Sequence, residues 1–313
     1  MLMSITRKST TLFQPLNYQL LVGIFWKILS CAAFAGVNII VRYLSGSSLP
    51  IEQQLPSCVI MLFQNIIGTI LLLPFIYKTT GNFNIFNSLM SSKHLLLQIV
   101  RIVTAIVGIL LWYISLAKMP VTQVVAISFL SPMLTFVGAI ILLRERLNIN
   151  KSIATILSLI GGFLISRPDL AIINKFSSWD AMFPIAAALM FAVDKLITKK
   201  ILLQQECPKL ITVYLLLFTS PICLIYVLLT NSWVLPVSSN ILPLLLLGFL
   251  GTVAHFSFNK SLETSEITLI MPYGISKIIF SSILSYLVFA EIPETFSMWI
   301  GIVIISISTI LLI

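Results

Sequence analysis

The 313-residue chain is 58% hydrophobic and only 9% charged, with mean hydropathy +1.08 and a formal net charge of +9. A typical soluble domain is about 25% charged, so this composition excludes a water-soluble globule. The basic balance comes without a Lys/Arg cluster interleaved with aromatics, which argues against nucleic-acid binding and for loops held against an anionic leaflet.

In chain order, residues 1–18 form a short N-terminal segment read as cytoplasmic. Arg7 and Lys8 are separated by polar residues from the first apolar run, and that run is long enough to span, so it reads as a retained helix rather than a cleavable signal. Ten apolar stretches follow: Gln19–Leu44, Leu55–Tyr77, Leu95–Leu116, Val121–Leu143, Ile149–Ser166, Ala181–Thr198, Lys209–Leu229, Ile241–Asn259, Ile267–Phe289 and Thr295–Ile313. A bilayer core takes roughly 20 helical residues to cross, and unpaired peptide groups are costly in lipid, so each stretch reads as a helix. Lys and Arg between the spans fall mostly on one side if the N-terminus is cytoplasmic, and an even number of crossings then puts the C-terminus inside too. Trp26, Trp179 and Trp299 read as interfacial anchors.

The chain repeats internally. Glu145 and Glu291 stand 146 positions apart, and at that spacing Ser115 matches Ser261, Leu116 matches Leu262 and Thr122 matches Thr268. Earlier in each half the spacing differs: Phe34, Ala35 and Arg42 match Phe191, Ala192 and Lys199. Each half then holds five helices, residues 19–166 and 181–313, joined by an extracytoplasmic linker at 167–180. Five is odd, so the second half enters from the opposite face. The expected fold is all-α: a polytopic membrane protein of ten transmembrane helices in two inverted five-helix repeats, a geometry suited to alternating access.

Polar residues within the spans are the candidate site. Gly274, Lys277, Ser281 and Ser285 share one helical face, and so do their counterparts Ser128, Ser131, Thr135 and Ala139. Such a stripe reads as a cavity wall or as close packing through small residues. Lys277 lies near the middle of its helix, where a charge needs compensation. That compensation is an anionic substrate group, a fixed partner such as Asp194, or loss of the proton. Asp194 is a candidate coupling residue that carries a proton, or else a structural partner. Asn38, His255 and Asn259 line the cavity or bond between helices; Trp112 and Tyr113 stack on a planar group or pack. Pro132 and Pro272 are candidate pivots in equivalent helices, because proline removes a backbone bond and kinks the helix. Glu145 and Glu291 sit where a carboxylate suits a helix N-terminus. Cys31, Cys58, Cys207 and Cys223 form no CxxC pair and read as structural thiols; no ligand cluster suggests a metal.

Several motifs carry a resemblance. They are Arg101, Leu111-Trp112-Tyr113, Ala117-Lys118-Met119-Pro120, Ser131-Pro132 ahead of Glu145, Met271-Pro272-Tyr273, and the run Leu287 to Pro293. Together they resemble the drug/metabolite transporter superfamily, specifically EamA-type ten-helix carriers. Asp194 followed by Lys199-Lys200 also resembles bacterial S-adenosylmethionine carriers of that superfamily. The resemblance implies a central cavity lined by helices 1, 3, 4, 6, 8 and 9, with helices 5 and 10 outside. The family's arginine early in helix 2 is absent; Gln64-Asn65 stand nearby. The function expected is a secondary carrier in the inner membrane for a small polar metabolite. That metabolite is an amino acid or derivative such as S-adenosylmethionine; export of amino acids or nucleotide-like molecules is the alternative. The expected partners are the substrate, the bilayer and a coupled proton, the assembly a monomer or homodimer. No cofactor is expected. The chain lacks a Walker motif, GxSxG and HExxH, so an enzyme is not expected. A channel or non-transporting scaffold is the remaining class.

Overall fold

The computed structural model describes residues 14–46, 50, 53–80, 95–119, 121–128, 130–145, 178–204, 206–270 and 272–290, with scattered helical positions across 152–161 and 300–307. The expected spans at Ile149–Ser166 and Thr295–Ile313 therefore lie largely outside the described residues, as do Glu291 and Trp299. Among the described residues all regular structure is helical. The helices are α1 (Gln14–Ser45), α2 (Ser57–Thr80), α3 (Leu95–Lys118), α4 (Val121–Ile127), α5 (Leu130–Leu143), α6 (Ser178–Leu202), α7 (Pro208–Leu229), α8 (Ser238–Thr264), α9 (Ile267–Ile270), a 3₁₀ turn (Pro272–Ile275) and α10 (Ser276–Phe289).

Five helical segments are long and apolar enough to cross a membrane: those within α1, α3, α7 and α8, and the stretch Pro272–Phe289. Their outer faces are apolar. On α3, Leu96, Val103 and Val107 are exposed, while Gln98 and Arg101 on the same helix are buried. A helix in water would show the reverse, so hydrocarbon is the surrounding solvent. The chain is an all-α polytopic membrane protein.

The two helices expected to kink are interrupted. The first splits into α4 and α5 around Ser128, and the second into α9 and α10 around the turn Pro272–Ile275. Pro132 sits in the first turn of α5, where its missing N–H is tolerated, and the break falls just before it. Pro272 begins the 3₁₀ turn. The breaks stand at repeat-equivalent positions, since Ser128 and Gly274 are 146 residues apart.

The packing repeats as well. α1 lies along α8, and α6 lies along α3; α1 also packs on α10, as α6 does on α5, while α2 crosses α7 between the halves. Close approach depends on small residues. A Cβ on Gly36 would meet Leu250 Cδ1 at 2.8 Å in the α1–α8 contact, and one on Gly108 would meet the Phe191 ring at 3.0 Å in the α3–α6 contact.

The rim of the bundle shows the repeat at atomic level. Arg42 Nη1 donates to the carbonyls of Leu116 at 3.1 Å and Met119 at 2.5 Å, closing the end of α3. Lys199 Nζ donates to the carbonyls of Leu262 at 2.8 Å and Ser265 at 2.7 Å, closing the end of α8. Both cations thus satisfy carbonyls that a helix end leaves unpaired. Arg144 and Ala290, also 146 residues apart, follow α5 and α10 in the left-handed region, each at φ 53°. That conformation is uncommon without glycine.

Candidate substrate-binding cavity

The cavity is built by helical faces from both halves. On α1, Lys27, Cys31, Phe34 and Asn38 recur every three or four residues and point inward together. α3 adds Ala105, Ile109, Trp112 and Tyr113, and α6 adds Phe191, Asp194 and Lys195 on one face. Val125, Ser128, Ser131 and Pro132 come from around the first break, and Gly274 and Lys277 from around the second. His255 and Phe258 come from α8. The expected lining helices are all present, with Gln64 of α2 and Leu215 of α7 in addition.

Three lysines reach this space, and none forms an ion pair with a carboxylate among the described residues. Lys277 Nζ lies 4.3 Å from the Trp112 ring centre and 5.6 Å from that of Phe34. Lys27 Nζ lies 4.6 Å from the Phe258 ring centre. Lys195 Nζ donates to Ser131 Oγ at 2.9 Å. A lysine at bilayer depth costs about 2.5–3.5 kcal/mol on insertion scales, and a cation–π contact returns about 0.5–2 kcal/mol. Aromatic faces therefore cover only part of the cost.

Asp194 is the carboxylate among the described lining residues, and Arg101 takes it. Arg101 Nε stands 3.5 Å from Asp194 Oδ1. The guanidinium is 1% exposed; its Nε also donates to Thr198 Oγ1 at 2.9 Å and its Nη1 to the Ile211 carbonyl at 3.0 Å, tying α3 to α6 and α7. The pairing of Asp194 with Lys277 that the sequence allows is thus replaced by Arg101. The reason is local: residues 194 and 195 point about 100° apart on one helix, so Asp194 turns to α3 and Lys195 to Ser131.

The profile of the EamA-like transporter family matches residues 21–167 and again residues 178–313. The chain belongs to the EamA-like transporter family. Among curated relatives, a riboflavin transporter of Vibrio cholerae is 29% identical over 290 residues, covering 92% of this chain and 91% of that one. An S-adenosylmethionine uptake transporter of Rickettsia felis is 25% identical over 274 residues, covering 88% and 86%. One solved protein crystal structure superposes with a TM-score of 0.72 at 13% identity, covering 95% of this chain and 97% of that one, and so shares the fold. Membrane embedding and transport of a small molecule follow from the family.

Within this EamA-like fold, Lys277, Ser128, Ser131, Gly274, Trp112, Tyr113, Asn38, His255, Asp194 and Pro132 are brought to the cavity. Trp112 Nε1 donates to Asn38 Oδ1 at 3.0 Å, which fixes the indole beneath Lys277. The Tyr113 hydroxyl donates to Gln64 Oε1. His255 meets Phe34 edge to face, ring centres 5.1 Å apart. Thr135, Ser281, Asn259 and Pro272 are not among the lining residues. Thr135 Oγ1 bonds back to the Ser131 carbonyl at 2.7 Å, Asn259 Nδ2 donates to Thr212 Oγ1 at 2.8 Å, and Ser281 is buried. Glu145 caps a helix, but across the halves. Its carboxylate accepts from the Ile267 and Thr268 amides at 3.1 Å and from Thr268 Oγ1 at 2.8 Å, at the start of α9.

Lys27, Lys195 and Gln64 join the cavity although the sequence pattern does not single them out as site residues. A signal for them exists all the same: each is a polar group inside an apolar span, and Lys27 stands one helical turn before Cys31 on the face that also holds Asn38.

Proposed function

We propose that the protein is a secondary carrier that moves a small polar metabolite across the inner membrane by alternating access, with the described cavity as its substrate site. The observation that carries this is the placement of two equivalent helix breaks, around Ser128 and Gly274, on the wall of one cavity shared by both halves. Broken spans at a repeat interface let polar groups face a central ligand and let each half rock about it. The halves are read as residues 19–166 and 181–313, with 167–180 between them and both termini cytoplasmic. Pro132 and Pro272 flank the pivots. Asp194 is the candidate proton carrier, held beside Arg101 at the cavity edge. The relatives named for riboflavin and S-adenosylmethionine support a metabolite with a flat ring, which the Trp112, Phe34 and Phe258 walls suit. A sulfonium ligand fits a lysine-rich cavity less well than an anion.

Counterflow in proteoliposomes tests the reading. Vesicles preloaded with an unlabelled substrate should accumulate the labelled form faster than empty ones. Asp194→Asn should keep counterflow yet lose uptake driven by a pH gradient. Uptake without any counterflow points to a channel and ends the carrier reading.

A further inference from the structure

We propose that the cavity recognises an organic anion carrying two or more negative charges, held jointly by Lys27, Lys195 and Lys277. This rests on the carrier reading above for the cavity's role and deepens it by naming the charge of the cargo.

The three lysine side chains come from three directions, on α1, α6 and α10, and face one space. Lys195 lies within electrostatic reach of Lys27 and Lys277, and of its neighbour Asp194 as well. The acidic lining residue, Asp194, is engaged by Arg101. Ring faces and one hydroxyl are the direct contacts of the lysines, and no ion pair joins them to a carboxylate among the described residues. Flexible stems resting on aromatic faces are free to swing onto an arriving anion, because no ion pair must break first.

The internal repeat shows that the fold does not need these charges. At the spacing of 146, Lys277 corresponds to Ser131. At the spacing that relates Arg42 to Lys199, Lys195 corresponds to Asn38 and Lys27 to Pro184. The same helical positions in the other half are thus filled by uncharged residues. Packing does not require three lysines at one hollow, and a shared anionic ligand accounts for their convergence. The aromatic and apolar wall favours an organic body over a bare inorganic ion.

Matched probes test this on the purified full-length protein, with binding read by thermal shift and equilibrium dialysis. The probe pairs are riboflavin with riboflavin 5′-phosphate, adenosine with its monophosphate, and an aromatic dicarboxylate with its diamide; S-adenosylmethionine is the cationic control. The anionic member of at least one pair should bind at least about tenfold tighter than its uncharged partner. The phosphate and dicarboxylate arms tell the two kinds of anion apart. Lys195→Gln/Lys277→Gln should lose the preference while its ligand-free melting temperature stays level or rises. Lys277→Arg should retain it. Equal binding within every pair, no binding of any anion at about 1 mM, or a preference untouched by the double variant overturns the proposal. Counterflow of an uncharged or cationic solute alone also overturns it and leaves the carrier reading intact. An anion that binds but never exchanges does the opposite.

Discussion

At the rim of the bundle, Arg42 and Lys199 occupy equivalent places and do the same thing: each donates to two carbonyls at the end of the helix it meets. About one turn earlier on the same two helices, Asn38 faces the cavity in one half and Lys195 in the other. The rim cations obey the repeat, and the cavity lysines break it although the helix breaks beside them do not. Each half must close its own helix ends, and peptide carbonyls make the same demand twice. The cavity is lined from both halves, and on the proposed reading it holds one metabolite that has no twofold symmetry of its own. On the proposed reading, departure from the repeat at Asn38 and Lys195 reflects the ligand, whereas Arg101, whose counterpart is Leu247, departs from the repeat and still serves the fold through Asp194.

This contrast can be broken by measuring stability and transport on the same variants. The largest loss should come from Arg101→Met. It strands Asp194 in a buried site, which typically costs about 3–5 kcal/mol, and thermal denaturation in detergent should show it. Pairing it with Asp194→Asn should recover a large part, whereas a full loss in the double variant would mean that Arg101 acts mainly through Thr198 and Ile211. Next come the two clamps. Lys199→Met and Arg42→Met each leave two carbonyls without a charged donor, a loss of about 2–3 kcal/mol, and the two losses should be similar. Unequal losses would show that the rim is less symmetric than its hydrogen bonds.

A smaller effect of opposite sign is expected at Ala290. It holds a left-handed conformation that costs an L-residue about 1 kcal/mol or more, so Ala290→Gly should raise the melting temperature. The smallest stability effect belongs to the centre. Lys277→Met removes a buried charge without a carboxylate partner and should leave stability unchanged or slightly higher, while substrate exchange is lost. A variant that exchanges substrate normally, or that unfolds, would place Lys277 with the rim residues.

Much of the fold is legible in the amino-acid sequence. The spans follow from length and hydropathy, because a bilayer asks one simple thing of a helix. The repeat shows in Glu145 and Glu291 and in Arg42 and Lys199, since helix ends make chemical demands that leave recognisable residue types. Lys277 stands out as a charge in mid-span. Harder to see are the breaks around Ser128 and Gly274. A proline or glycine signals a bend, but whether the chain bends or interrupts depends on neighbours that replace the lost bonds. Thr135 and Ser281 share the helical face of Ser131 and Lys277, yet they do not line the cavity. Facing inward at one level of a bundle does not mean facing a hollow at the next.

Chain chemistry alone, then, settles the solvent, the helical class and the twofold repetition, because these depend on properties of each segment by itself. The partner of each charge is settled by packing: Arg101 for Asp194, Ser131 for Lys195, the Trp112 face for Lys277, and the start of α9 for Glu145. Those pairings join residues tens to more than a hundred positions apart. They exist only once inverted halves interlock, and no local pattern encodes the distance between two side chains on different helices.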